Sequence, residues 1–218
     1  DMGAEAAELL ARAASASPYL RDLMRREGDW LRMAMPDPDA AVAAELARDS
    51  DLAGLPDMLR QMKRRVALMT ALADLAGSWP LERVTGALTA LADRAVDLSV
   101  RRLVGAEVRR GKLPDDTDAG GMVVLAMGKM GAGELNYSSD IDLVIFYDAQ
   151  VAPLAEPSEA TQTFARVTQT LVKLLQERTA DGYVARVDLR LRPDPGATPV
   201  ALSRDAAMLY YETVGQNW

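Results

Sequence analysis

The sequence predicts an α+β protein, with a helical bundle over residues 1–114 followed by a mixed unit of strands and helices over 115–218. Three observations carry that prediction. From Glu5 to about Arg110, apolar residues recur at the helical period in a sequence rich in Ala and Leu. After the turn-rich Lys112-Leu113-Pro114-Asp115-Asp116-Thr117-Asp118, the texture changes to apolar runs of strand length. Finally, 218 residues at 49% hydrophobic content can bury a real core without covalent staples.

The elements follow in order. Leu9, Leu10 and Ala13 fit a first short helix, and Pro18 to Met35 a second, interrupted near Gly28. Pro36 and Pro38 end it, and Asp39 to Arg48 forms another short helix. Pro56 to Leu75 carries Met58, Leu59, Met62, Val66, Met69 and Leu72 on one stripe, with a proline in the first turn, and Gly77 stops it. A further helix restarts around Ser78 to Glu82 and runs through Leu88, Leu91, Leu98 and Leu103 toward Gly111. In the second half, Met122 to Met127 and Ile141 to Tyr147 are continuous apolar strands, and Tyr183 to Leu191 is an alternating third. The linker Ala149 to Pro157 leads into a helix over Ser158 to Ala180, and Ser203 caps a last one. Strand, loop, strand, helix, strand, helix makes this half α+β or α/β.

There are no cysteines and no histidines, which excludes disulfides, the usual Cys/His zinc sites, thiol nucleophiles and imidazole bases. Chemistry must rest on carboxylates, hydroxyls, Lys, Arg or Tyr, and a metal would be a hard cation held by oxygen. The net charge of −7 argues against broad nucleic-acid binding, and no apolar run is long enough to span a membrane. A soluble, cytoplasmic location is expected. The first residue is not Met, and Val214 to Trp218 has the character of structured chain, so a piece of a longer polypeptide is expected.

The chemistry concentrates between Gly128 and Leu143. Gly128, Gly131 and Gly133 make a glycine-rich turn after a buried strand, where backbone N–H groups can approach an anion without Cβ obstruction. A short helix beginning near Ala132 would aim its positive end at the same place. Asp140 and Asp142 stand at i and i+2, so in a strand they share a face while Ile141, Leu143 and Ile145 enter the core. Paired carboxylates repel unless a cation lies between them; the competing reading is a strand end facing water. In Val187-Asp188-Leu189-Arg190-Leu191-Arg192, Asp188, Arg190 and Arg192 share a face, with Arg186 on it by parity. Either the arginines neutralise the aspartates in a surface ladder, or Asp140, Asp142 and Asp188 bind divalent metal with Arg190 and Arg192 near phosphate. A carboxylate-bridged metal pair serves in-line phosphoryl displacement and needs no histidine.

These residues resemble a known family. The strand, glycine turn, Asp-x-Asp and later lone Asp look like the nucleotidyltransferase fold of the DNA polymerase β superfamily. More narrowly, Gly128-Lys129-Met130-Gly131 with Glu134 to Leu143, followed by Val187 to Pro193, resembles the bifunctional glutamine synthetase adenylyltransferase/adenylyl-removing enzymes. Ser17 to Leu20 and Tyr210 to Trp218 extend the likeness over most of the chain. The Asn136-Tyr137-Ser138-Ser139-Asp140 wording is similar to the N-terminal, adenylyl-removing half of those enzymes. The resemblance implies a small mixed sheet flanked by helices, and phosphorolysis of AMP from an adenylylated tyrosine of glutamine synthetase, giving ADP. It implies Mg²⁺ or Mn²⁺ at Asp140, Asp142 and Asp188, with Asp188 a third ligand or the base. Gly128 to Gly133, Ser138 and Ser139 would contact nucleotide phosphates, and Arg190 and Arg192 the attacking phosphate or the ribose-phosphate. Arg192, before Pro193, has the alternative of serving the turn, and Lys129 is either a phosphate ligand or a solvated loop lysine. A PII-type signal-transduction protein is a further implied partner. The adenylylating reaction and a catalytically silent partner-binding module are the alternatives.

Overall fold

In the computed structural model, residues 3–150 and 157–215 are described. Six helices form the first half: α1 (Ala4–Ala16), α2 (Pro18–Arg26), α3 (Gly28–Ala34), α4 (Pro38–Leu46), α5 (Leu55–Leu75) and α6 (Leu81–Arg109). Their ends follow local chemistry. Ser17, Asp37 and, later, Ser203 accept hydrogen bonds from the backbone N–H three residues on, each satisfying a helix-start donor. The expected break near Gly28 falls between α2 and α3 at Glu27, whose buried carboxylate accepts Arg64 Nε at 2.7 Å and Arg65 Nε at 2.8 Å from α5. Gly77, at φ +66°, stops α5 as expected.

The second half contains β1 (Met122–Met127), the single turn α7 (Gly128–Gly131), β2 (Ile141–Tyr147), α8 (Pro157–Gln176), β3 (Val187–Asp188), β4 (Leu202–Ser203) and α9 (Arg204–Thr213). β2 is the centre of a small mixed sheet. β1 runs antiparallel along one edge, and β3 and β4 pair parallel with the start and end of β2 on the other. Opposed residues share a face, so one face carries Ile141, Leu143, Ile145 and Tyr147 into the core. There Tyr147 stacks on Phe164 of α8 with ring centroids 4.6 Å apart. The apolar core runs unbroken from Leu103 of α6 to Phe164 and Leu171 of α8, across the 114/115 boundary. The other face, bearing Asp142, leaves Val123, Leu125 and Met127 of β1 exposed. No helix of the described residues is long and apolar enough to cross a membrane.

Four expectations are corrected. The third strand shrinks from Tyr183–Leu191 to Val187–Asp188 because its flanks bond elsewhere: the Val184 and Ala185 N–H groups both donate to the Leu175 carbonyl, and the Arg192 N–H to Leu189. The helical turn after β1 begins at Gly128 and has ended by Ala132, where a helix was expected to start. The helix placed at Ser158–Ala180 is Pro157–Gln176, its C-terminal segment turning back through a short bridge between Thr179 and Gly182. The helix placed at Asp39–Arg48 is Pro38–Leu46, begun early by its Asp37 cap. Most of the Ala149–Pro157 linker, and Gln216 to Trp218, lie outside the described residues.

Candidate active site

The parallel pairing of β2 with β3 sets Asp142 directly opposite Asp188, on the sheet face that the bundle leaves open. Met127, last residue of β1, is the antiparallel partner of Asp142, so the glycine turn that follows is delivered to the same spot. A Cβ added at Gly128 would fall 2.6 Å from Asp142 Oδ2, and the residue has φ +55°. Both facts require glycine there. Gly133, at φ +75°, closes the turn, whereas Gly131 is needed for packing: a Cβ on it would strike the Ala126 carbonyl oxygen.

Asp140 lies just before β2 and is turned aside. Arg186 Nε donates to its Oδ1, and Arg186 Nη2 donates to the Ser138 carbonyl at 2.5 Å. The Ile141 N–H donates to the Arg186 carbonyl at 2.9 Å, so backbone and side chain of Arg186 together fix the entry into β2. Asp188 is mostly buried and accepts Arg190 Nε at 2.8 Å and the Arg190 backbone N–H at 2.8 Å. Those side-chain and backbone bonds hold the Asp188 carboxyl below the usual carboxylate range, outweighing its partial burial. Among the described residues, no three carboxylates converge closely enough to cage a cation.

The remaining expected residues divide. Arg190 is exposed beside Asp188, with its Nε and Nη2 bonded to that carboxylate. Arg192 serves the turn: its guanidinium donates to the Leu189 and Pro195 carbonyls at 2.8 and 2.7 Å, which takes it away from the phosphate role assigned to it. Ser139 Oγ is likewise committed to Asn136 Oδ1 at 2.5 Å, while Ser138 is exposed. Lys129 is exposed on the glycine turn.

The chain matches the family model described as glutamate-ammonia ligase adenylyltransferase over residues 7–218. It belongs to that family. It is 50% identical over 224 residues to the bifunctional glutamine synthetase adenylyltransferase/adenylyl-removing enzyme of Bradyrhizobium diazoefficiens, covering 96% of this chain and 22% of that protein. The namesake of Caulobacter vibrioides is 49% identical over 221 residues, covering 96% of this chain and 22% of its own length. That of Rhodopseudomonas palustris strain BisB5 is 50% identical over 218 residues, covering 94% and 22%. The chain thus spans about a fifth of the curated relatives it matches.

For a member of the glutamate-ammonia ligase adenylyltransferase family, the donor set fits a divalent cation. Mg²⁺ characteristically takes one or two carboxylates and completes its shell with water and substrate phosphate rather than a protein cage. Asp142 and Asp188, opposed in register, are two such carboxylates. Arg186 was visible by parity but its hold on Asp140 was not. Likewise Tyr137, inside the motif, gave no sign that its hydroxyl donates to Asp74 of α5 at 3.1 Å.

Proposed function

We propose that this chain carries a metal-dependent site that removes AMP from adenylylated glutamine synthetase by phosphorolysis. The observation that carries the reading is the opposition of Asp142 and Asp188 on the open sheet face, with the Gly128 turn against Asp142. The direction is supported by the Asn136 to Asp140 wording, and the partner by the relatives' names.

In this reaction an oxygen of inorganic phosphate forms a bond to the AMP phosphorus while the bond from phosphorus to the tyrosyl oxygen breaks. ADP leaves, and the tyrosyl oxygen takes up a proton. Asp142 and Asp188 would hold Mg²⁺ or Mn²⁺, which when bound neutralises charge on the phosphoryl oxygens. Arg190, bonded to Asp188 through Nε and Nη2, would offer its remaining guanidinium donors to the incoming phosphate. Gly128, having no Cβ, lets the turn's backbone lie directly against the Asp142 carboxylate. Phosphate is already anionic, so a strong base is unnecessary, which suits a chain without histidine.

The test is incubation of the chain with adenylylated glutamine synthetase, Mg²⁺ and phosphate, following nucleotide release by chromatography. ADP is the expected product. AMP transfer from ATP to the unmodified synthetase, with no ADP from the phosphate reaction, would assign the opposite direction, and neither reaction would make the module silent.

A further inference from the structure

A cavity of about 520 Å³ opens between α5, α2 and the segments holding Tyr137 and Tyr183. Its volume and mixed lining are those of a small-molecule site. Ala67 and Ala71, one turn apart on α5, present only methyl groups as a floor. Lys63 and Asp74 mark the two ends of that stripe, eleven residues and so about 16 Å apart along the helix.

The ends differ in chemistry. Lys63 Nζ sits 5.0 Å from the Tyr183 ring centroid and 5.6 Å from that of Tyr19, and donates to the Tyr19 hydroxyl at 3.3 Å. No carboxylate is paired with it among the described residues, and burial pushes its pKa down. A half-buried ammonium held by rings and a hydroxyl alone gains from an anion. Tyr183 also interacts with Arg186, which reaches Asp140, so this end adjoins the carboxylate site. At the other end, Tyr137 donates to Asp74 Oδ2, and burial and then the Asp74 charge keep its phenol protonated as a donor. Asp74 Oδ1 accepts no hydrogen bond among the described residues, so it is open to an outside donor.

We propose that this cavity seats the adenosine part of the nucleotide, with the purine over Ala67 and Ala71, its 6-amino group donating to Asp74, and its phosphate side directed past Lys63 and Arg186. The assignment rests on the nucleotidyl-transfer reading above and deepens it. Aromatic rings supply stacking that any base accepts. Asp74 supplies the choice, because an ionised carboxylate only accepts: a 6-amino purine satisfies it, and a 6-oxo purine sets acceptor against acceptor.

The test is calorimetric titration of the chain with ADP, GDP and pyrophosphate in Mg²⁺, for the native protein, Ala71→Phe and Asp74→Asn. Native protein is expected to prefer ADP to GDP. Ala71→Phe fills the floor and should weaken ADP about tenfold while leaving pyrophosphate unchanged. Asp74 is exposed, so Asp74→Asn keeps the fold; its amide can present either donor or acceptor and should erase the preference for ADP over GDP. Native ADP affinity and preference in both variants would overturn the cavity assignment and leave the nucleotidyl reading standing, as would equal or tighter GDP binding by the native chain. Binding of neither ADP nor pyrophosphate by the native chain would sink both.

Discussion

Gly128 and Asp142 occupy one shared space, with the position of a Cβ on the glycine 2.6 Å from the Oδ2 of the aspartate. That gap is shorter than any contact two such atoms can hold, so a side chain at 128 must displace the carboxylate. Gly128→Ala also meets φ +55°, where an L-residue is disfavoured by about 1 kcal/mol. The expected outcome is a modest loss of stability with a much larger loss of ADP release, about a hundredfold, from a misplaced metal ligand. Thermal unfolding and ADP release under saturating Mg²⁺ measure the two. Activity close to the native value would mean that Asp142 does no work in the reaction.

Gly131→Ala tests the opposite character three residues on. Its Cβ would meet the Ala126 carbonyl oxygen, which is backbone in β1 and cannot swing away. Stability and activity should therefore fall together, by about 1–3 kcal/mol, the range for overpacking. Urea unfolding reports the loss, and a variant as stable as the parent with weakened phosphate affinity would restore the anion-binding role.

Arg190 holds the Asp188 carboxyl below its ordinary range, chiefly through its side-chain hydrogen bonds. The ionised form is the one that binds metal, so native activity should persist to low pH and fall as Asp188 takes up its proton. Arg190→Ala removes the bonds, lets that proton return at higher pH, and moves the acid limb of the rate upward. The pH profile of ADP release at fixed Mg²⁺ measures this, and an acid limb unmoved by the substitution would dissociate Asp188 from it.

Much of this arrangement was legible in the residues. The continuous apolar runs 122–127 and 141–147 became β1 and β2 at those bounds, because both strands are fixed by burial on the core face. Parity put Asp140 with Asp142 on one face of one strand and Asp188 with Arg190 on one face of another; only the register shows Asp142 opposed to Asp188. What escaped depends on partners remote in sequence. The third strand was cut short when α8 offered the Leu175 carbonyl to Val184 and Ala185. Arg192 was captured by its own turn, and Asp140 by Arg186. The cavity joins Lys63, Tyr137 and Tyr183 from three segments, each ordinary by itself.

The acid stability of the bundle is expected to centre on Glu27. Burial pushes its pKa up, but hydrogen bonds from Arg65 and Arg64 outweigh that and hold it below the ordinary value. A depressed folded-state pKa adds stability that is fully present above the unfolded value of about 4.3 and is lost as pH falls through the lower folded one. Glu107 has the same sign, depressed by Arg166 and Arg110 against its burial, and ties α6 to α8. Glu27→Gln should destabilise the protein at pH 7 by about 3 kcal/mol, the low end for a broken buried pair because both guanidiniums retain some solvent. It should also flatten the fall in stability as pH drops below about 4.3, the window in which the depressed native carboxylate takes up its proton. Urea unfolding across that window decides it: a variant whose stability falls with acid as steeply as the parent's would place the acid sensitivity elsewhere, with Glu107→Gln the next to examine.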